Sequence, residues 1–283
     1  VSDFQLAYSY LFSQLHWLPD RHGPLEHMGL DLPMAQTHCV PGNHDHWNGK
    51  SSVSFWSPPP AFNSAIFPDF MEPTIVDALD PSPHHTIRSK NDQVICELFR
   101  VDSNEGLQPS RTNLTAAGRL SDEQLEGVLN PNGQIITKGL AQQMQEAAAA
   151  GLNDQIPRVA AIACHHSLGN KNGLTGAQPL EGPSVGRLLS VIRRFQNSFP
   201  IRAVLTGHTH YSTPWVLPGP ISANRVWELR CASTLQMDPQ PGAQGFLVHE
   251  ISVTPSGQPT WNMWTFSWNG LDFIKRPTAV AVT

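Results

Sequence analysis

Three short apolar runs constrain this chain more than any other feature in it. Residues 37–40, 158–164 and 201–205 each read as a buried strand, and each leads into a polar cluster that carries imidazole. The clusters are Asn43-His44, reached through a tight Pro41-Gly42 corner, then His165-His166, then His208-Thr209-His210. In a largely parallel sheet the carboxyl ends of the strands lie side by side, where open α/β folds place their ligands. A lone His-x-His or His-His pair is an ordinary surface or packing feature. Three such clusters in the same relation to a strand predict one shared site.

All three clusters supply nitrogen or amide oxygen, and none supplies thiolate. That donor set suits Mn, Fe, Zn or Co better than a structural cysteine–zinc site. The four cysteines, Cys39, Cys96, Cys164 and Cys231, sit far apart in apolar surroundings without a Cys-x-x-Cys pair. They read as buried reduced thiols and favour a reducing, cytoplasmic compartment. The net charge of −5 lacks the basic footprint of a nucleic-acid or membrane-surface binder, yet allows a small anionic substrate held by metal. No run approaches the length of a membrane span.

The remaining segments fit around those strands. Residues 3–18 carry Phe4, Leu6, Ala7, Tyr10, Leu11, Leu15 and Leu18 near helical spacing, and Pro19 stops the pattern. Residues 47–89 are rich in proline and predict an irregular cap held down by Phe55, Trp56, Phe62, Phe67 and Phe70. A strand is expected over 92–102. Helices are expected over 121–129, with Ser121 as N-cap and Gln124 completing a capping box, over 139–151 and over 184–195. Beyond His210 the segments 225–231, 245–253 and 260–268 alternate as antiparallel strands, and Trp264, Phe266 and Trp268 share a parity that predicts a core stripe. With no internal repeat and no dividing linker, residues 1–283 read as one domain.

The order Gly42-Asn43-His44-Asp45, then His165 after a strand, then Gly207-His208-Thr209-His210 resembles the calcineurin-like metallophosphoesterases. So do Val101-Asp102-Ser103 and the run Gly118-Arg119-Leu120-Ser121-Asp122-Glu123-Gln124-Leu125. The resemblance implies a four-layer α/β/β/α sandwich and two divalent or trivalent metal ions (Mn, Fe, Zn or Co). Asn43, His165 and His208 would hold one ion, and His210 would contribute to the other. It implies a small phosphorylated substrate, a phosphodiester or phosphomonoester, cleaved by a metal-bound hydroxide. His44 would face the leaving-group oxygen as proton donor, and Asp3 would orient His44. The alternative is a non-catalytic scaffold of the same fold that contacts other proteins. His166 is expected to stand behind the ligands or line the substrate cleft.

The family pattern opens with Asp-x-His and then Gly-Asp-x-x-Asp; this chain holds no Gly-Asp-x-x-Asp, and no Asp-x-His stands ahead of Asp3. Val1-Ser2-Asp3 would complete the second motif if Gly-Asp preceded it. The expectation is a chain that begins just after a metal-bridging aspartate, lacks the first strand of the sheet, and is impaired when tested alone.

Overall fold

The computed structural model describes residues 36–38, 40, 83–103, 117–151, 154–169, 179–198, 200–209, 213–217, 225–232, 244–269 and 273–282. In chain order its elements are β1 (His84–Arg88), β2 (Ile95–Arg100), α1 (Asp122–Glu126), β3 (Val128–Leu129), β4 (Ile135–Thr137), α2 (Leu140–Gly151) and β5 (Arg158–Ala163). There follow α3 (Gly182–Phe195), β6 (Ile201–Thr206), β7 (Thr213–Val216), β8 (Trp227–Arg230), β9 (Gly245–Val253), β10 (Pro259–Trp268), β11 (Phe273–Lys275) and β12 (Val280–Ala281). The result is a mixed α/β fold. Pro83–Thr283 belong to one compact unit, and the other unit lies almost entirely outside the described residues.

The apolar runs pair into a six-stranded sheet ordered β1-β2-β5-β6-β8-β7. β2, β5, β6 and β8 are parallel to one another, while β1 and β7 close the two edges antiparallel. Both faces of this sheet are covered, which is why its central strands read as continuous apolar runs. On one face Phe99, Ile162, Ile201 and Val204 pack against Leu140, Met144 and Ala147 of α2 and Leu188, Val191 and Ile192 of α3. On the other, Val159, Ala161, Ala203 and Leu229 meet Trp261, Met263 and Val282. The last three come from a second, four-stranded antiparallel sheet in which β10 pairs with β9, β11 and β12, or from the residue just after it. Each large apolar side chain sealed in these layers contributes on the order of 1.5–3 kcal/mol. The described residues thus stack as helices, sheet, sheet.

Local sequence accounts for the helices. The Ser121 hydroxyl accepts from the Gln124 backbone N–H at 3.1 Å, and the Gln124 side-chain oxygen accepts from the Ser121 N–H at 3.3 Å, the expected capping box. The helix stops sooner than expected, at Glu126, because Gly127 takes φ 76 and turns the chain into β3. In α2 the buried positions Leu140, Met144 and Ala147 recur at helical spacing. α3 has proline in its first turn and Arg193 and Arg194 in its last, where cations complement the helix dipole.

Several expectations change. Residues 225–231 do not join an antiparallel group: β8 inserts between β6 and β7 and runs parallel to β6, so its partner is set by strand order rather than by its own alternation. The supposed irregular stretch up to residue 89 ends in a strand, β1, whose ladder to β2 supplies what its weakly apolar sequence lacks. Thr37, His38 and Val40 lie in no strand, since a four-residue apolar run becomes β structure only through a ladder. The core stripe on β10 is Trp261 and Met263, of the opposite parity to Trp264, Phe266 and Trp268. Those three lie half-buried, with Phe266 stacked on Phe246 at 4.7 Å and Lys275 set 3.4 Å over the Trp264 ring.

Candidate metal centre

β5 and β6 are adjacent and parallel, and their ladder continues past both carboxyl ends. The Cys164 N–H donates to Leu205 O at 3.0 Å, and the Gly207 N–H donates to His165 O at 3.0 Å. These two bonds bring the peptide after β5 against the peptide after β6. The imidazoles of His165 and His208 meet there, with Nε2 of the first 3.1 Å from Nδ1 of the second.

His208 holds this position at a conformational cost. Its φ is 63°, in the left-handed region, and the Thr209 N–H reaches back to Gly207 O at 2.7 Å. A three-residue turn with positive φ at its centre is the rare, strained form, and strain of this kind concentrates at functional sites. Gly207 sits within van der Waals range of His165, with a hypothetical Cβ 3.8 Å from Nδ1.

A third imidazole joins the pair. His166 is fully buried, its ring centroid 5.0 Å from that of His165 and 4.6 Å from that of His208. The three residues each offer a ligand atom, all within 4.8 Å of one another. His166 is anchored by Ser103, which lies just past the end of β2, the next strand over. The Ser103 hydroxyl oxygen accepts the His166 backbone N–H at 3.1 Å and lies 2.8 Å from Nδ1 of the ring. Behind the ring stands Gly118, where an added Cβ would fall 2.3 Å from the His166 Cγ.

The loop after His166 is held by a buried ion pair on β8. Glu228 accepts the Leu168 N–H at 2.7 Å and the Thr206 hydroxyl at 3.1 Å through one oxygen, and Arg230 at 2.9 Å through the other. Arg230 in turn donates to Gly169 O at 2.6 Å. Both charged groups are buried, so each needs the other and the hydrogen bonds around them. Burial, aided by the Glu228 charge, pushes the Cys164 thiol up to about 12, so this cysteine stays protonated beside the imidazoles. The thiols of Cys96, Cys164 and Cys231 are all free, and only Cys164 is fully sequestered.

The donor chemistry fits a cation. With metal–imidazole bonds of about 2.0–2.1 Å, two nitrogens can share an ion when they lie within about 4.2 Å of each other. The His165–His208 spacing of 3.1 Å meets that condition. The trio as a whole, at up to 4.8 Å, needs a small contraction to share one ion. The cluster of His165, His166 and His208 can therefore hold a metal ion. No protein-family model matches this chain, and no curated protein is significantly similar to it.

Of the residues expected from sequence to hold metal, His165 and His208 lie side by side in this cluster. Asn43, His44, Asp3 and His210 lie outside the described residues. His166 takes a larger part than its expected supporting position, and Ser103, Glu228 and Arg230 were not anticipated in their present roles. Consecutive histidines at a strand end were the available signal for His166. Inside a strand they would face opposite ways, but past its end that alternation no longer holds.

Proposed function

We propose that the chain is a metal-dependent phosphoesterase with the four-layer metallophosphoesterase architecture, acting on a small phosphodiester or phosphomonoester. The observation that carries this reading is the 3.1 Å approach of His165 and His208 at the carboxyl ends of adjacent parallel strands, in a nitrogen-only donor cluster. When bound, a dinuclear pair of divalent or trivalent ions supplies Lewis acidity toward phosphoryl oxygens and the means to make a nucleophile from water near neutral pH.

The chain's own residues have separate tasks in this proposal. His165 and His208 hold one ion with Asn43, and His210 contributes to a second. His44 keeps a proton on its ring for the leaving-group oxygen, and Asp3 orients that ring as carboxylates orient imidazoles elsewhere. Ser103 and the Glu228–Arg230 pair keep the loop carrying His165 and His166 from drifting.

The test is hydrolysis of bis(p-nitrophenyl) phosphate and p-nitrophenyl phosphate with Mn²⁺, Co²⁺ or Zn²⁺ added. The expected result is metal-dependent release of nitrophenol that His165→Ala and His208→Ala abolish. His44→Ala should keep the metal and lose rate. Hydrolysis that survives the loss of both His165 and His208 would sink the proposal.

A further inference from the structure

We propose that Ser103 and Gly118 are positioning residues that make His166 a third imidazole donor to the cation held by His165 and His208. The inference rests on the metal centre and not on the ester chemistry proposed for it.

One hydroxyl engages His166 twice. The Ser103 oxygen takes the backbone N–H at 3.1 Å and meets Nδ1 at 2.8 Å, so it fixes the peptide and the ring together. An oxygen that accepts the backbone N–H still has a second lone pair for Nδ1–H. With the Nδ1 proton spent there, the lone pair of His166 sits on Nε2. That is the usual division of labour in a metal-binding imidazole, with one nitrogen on the metal and the other hydrogen-bonded behind it. The His166 ring meets His165 edge-on and His208 at a tilt, and His165 meets His208 edge-on, so the three side chains cluster together.

Gly118 makes room for this arrangement. A Cβ there would lie 2.3 Å from Cγ and 2.5 Å from Nδ1 of His166. The backbone at Gly118 has little room to yield, because its N–H donates to Pro179 O at 3.2 Å and its carbonyl accepts from Glu181 at 2.8 Å. The neighbouring strap is tied to the same place: the Arg119 N–H donates to Ser103 O at 2.9 Å, and the Leu180 N–H to Ser167 O at 2.7 Å. Any side chain at position 118 therefore pushes the His166 ring rather than the chain.

The experiment is a Co²⁺ titration followed by visible absorption, with ring ¹⁵N shifts of His166 recorded on the metal-free protein. Ser103→Ala is expected to weaken Co²⁺ binding about 10- to 100-fold, as loss of such supporting partners does. It should also change the visible band and move the His166 ring ¹⁵N shifts before any metal is added. Ser103→Thr restores the hydroxyl and should return the band and most of the affinity. His166→Ala should weaken binding at least as much as Ser103→Ala. If Ser103→Ala does not fold, His166→Ala decides alone: wild-type affinity with an unchanged band overturns the inference. A wild-type protein that binds Co²⁺ as described but hydrolyses no ester overturns only the phosphoesterase reading. A wild-type protein that binds no Co²⁺ overturns both.

Discussion

His165 Nε2 and His208 Nδ1 lie 3.1 Å apart although 43 residues separate them in sequence. The contact exists because β5 and β6 are parallel neighbours whose last hydrogen bonds, Cys164 to Leu205 and Gly207 to His165, tie the two exits together. If both rings serve one ion, their contributions to metal affinity must be coupled. His165→Ala and His208→Ala should each lower Co²⁺ affinity by about 100-fold or more, and the double variant should lose much less than the product. Equilibrium dialysis of the three variants measures this. Independent, fully additive losses would place the two imidazoles on separate ions.

The backbone of His208 makes a second prediction, read without metal. At φ 63° an L-residue carries strain that glycine does not. Both His208→Ala and His208→Gly remove the imidazole, but only glycine releases the strain. The glycine variant should therefore be the more stable of the two by about 1 kcal/mol in urea unfolding, a reversal of the usual ranking of these residues. A less stable glycine variant would mean that the turn is not strained.

The ion pair on β8 predicts a local effect as well as a global one. Arg230→Met leaves the Glu228 carboxylate buried with only neutral donors, and removal of one partner of such a pair costs about 3–5 kcal/mol. Changing both, Glu228→Gln with Arg230→Met, should cost less than the sum of the two single changes. Hydrogen exchange at the Leu168 amide, which donates to Glu228 at 2.7 Å, should speed up in each variant, because the loop after His166 loses its anchor.

Acid should loosen the seam between the two sheets before it reaches the carboxylates. Burial pushes His249 down from 6.5 to about 4, and its Nδ1 accepts the Trp261 indole N–H at 3.2 Å, a bond the protonated ring cannot accept. Because the folded value lies below the unfolded one, the unfolded chain takes up the proton first. The contribution of neutral His249 is complete above about pH 6.5 and declines as pH falls toward about 4. At about 1.4 kcal/mol per unit the loss is at most about 3–4 kcal/mol. Urea midpoints followed by tryptophan fluorescence should fall over that window, and His249→Phe should flatten the decline.

Glu97 titrates in a lower window. Burial alone would raise its pKa, but hydrogen bonds from His84 and Thr86, with the charges of His84 and Arg158, bring it below the usual carboxylate range. Its contribution is therefore present above about pH 4.5 and lost on further acidification. The two groups separate the acid response into an early step at the inter-sheet seam and a later one beside the β1 edge.

Much of the secondary structure was legible because local rules and tertiary packing agree. The Ser121 capping box, the alanine-rich α2 and the long strands β9 and β10 fall close to where periodicity and capping residues put them. The failures share a cause. β1 owes its strand to the ladder with β2, and β8 to its place between β6 and β7, and neither pattern says which neighbour it will meet. On β10 the aromatic stripe was the larger signal, yet the second sheet turns Trp261 and Met263 inward, because a strand's parity fixes which residues share a face and not which face is covered.

By itself the sequence determined that His165-His166 and His208 stand at the ends of apolar strands, and that their donors are nitrogen rather than thiolate. These follow from residue identity and from a few residues of flanking chain. Tertiary structure alone decided that β2, β5 and β6 are consecutive in the sheet, and so that Ser103, His166 and His208 gather at one edge with Gly118 behind them. Nor did any local pattern announce the Glu228–Arg230 brace. Periodicity along a chain specifies the direction in which a side chain points, whereas a site needs the atoms of several strands within about 3 Å, and only strand order and register supply that.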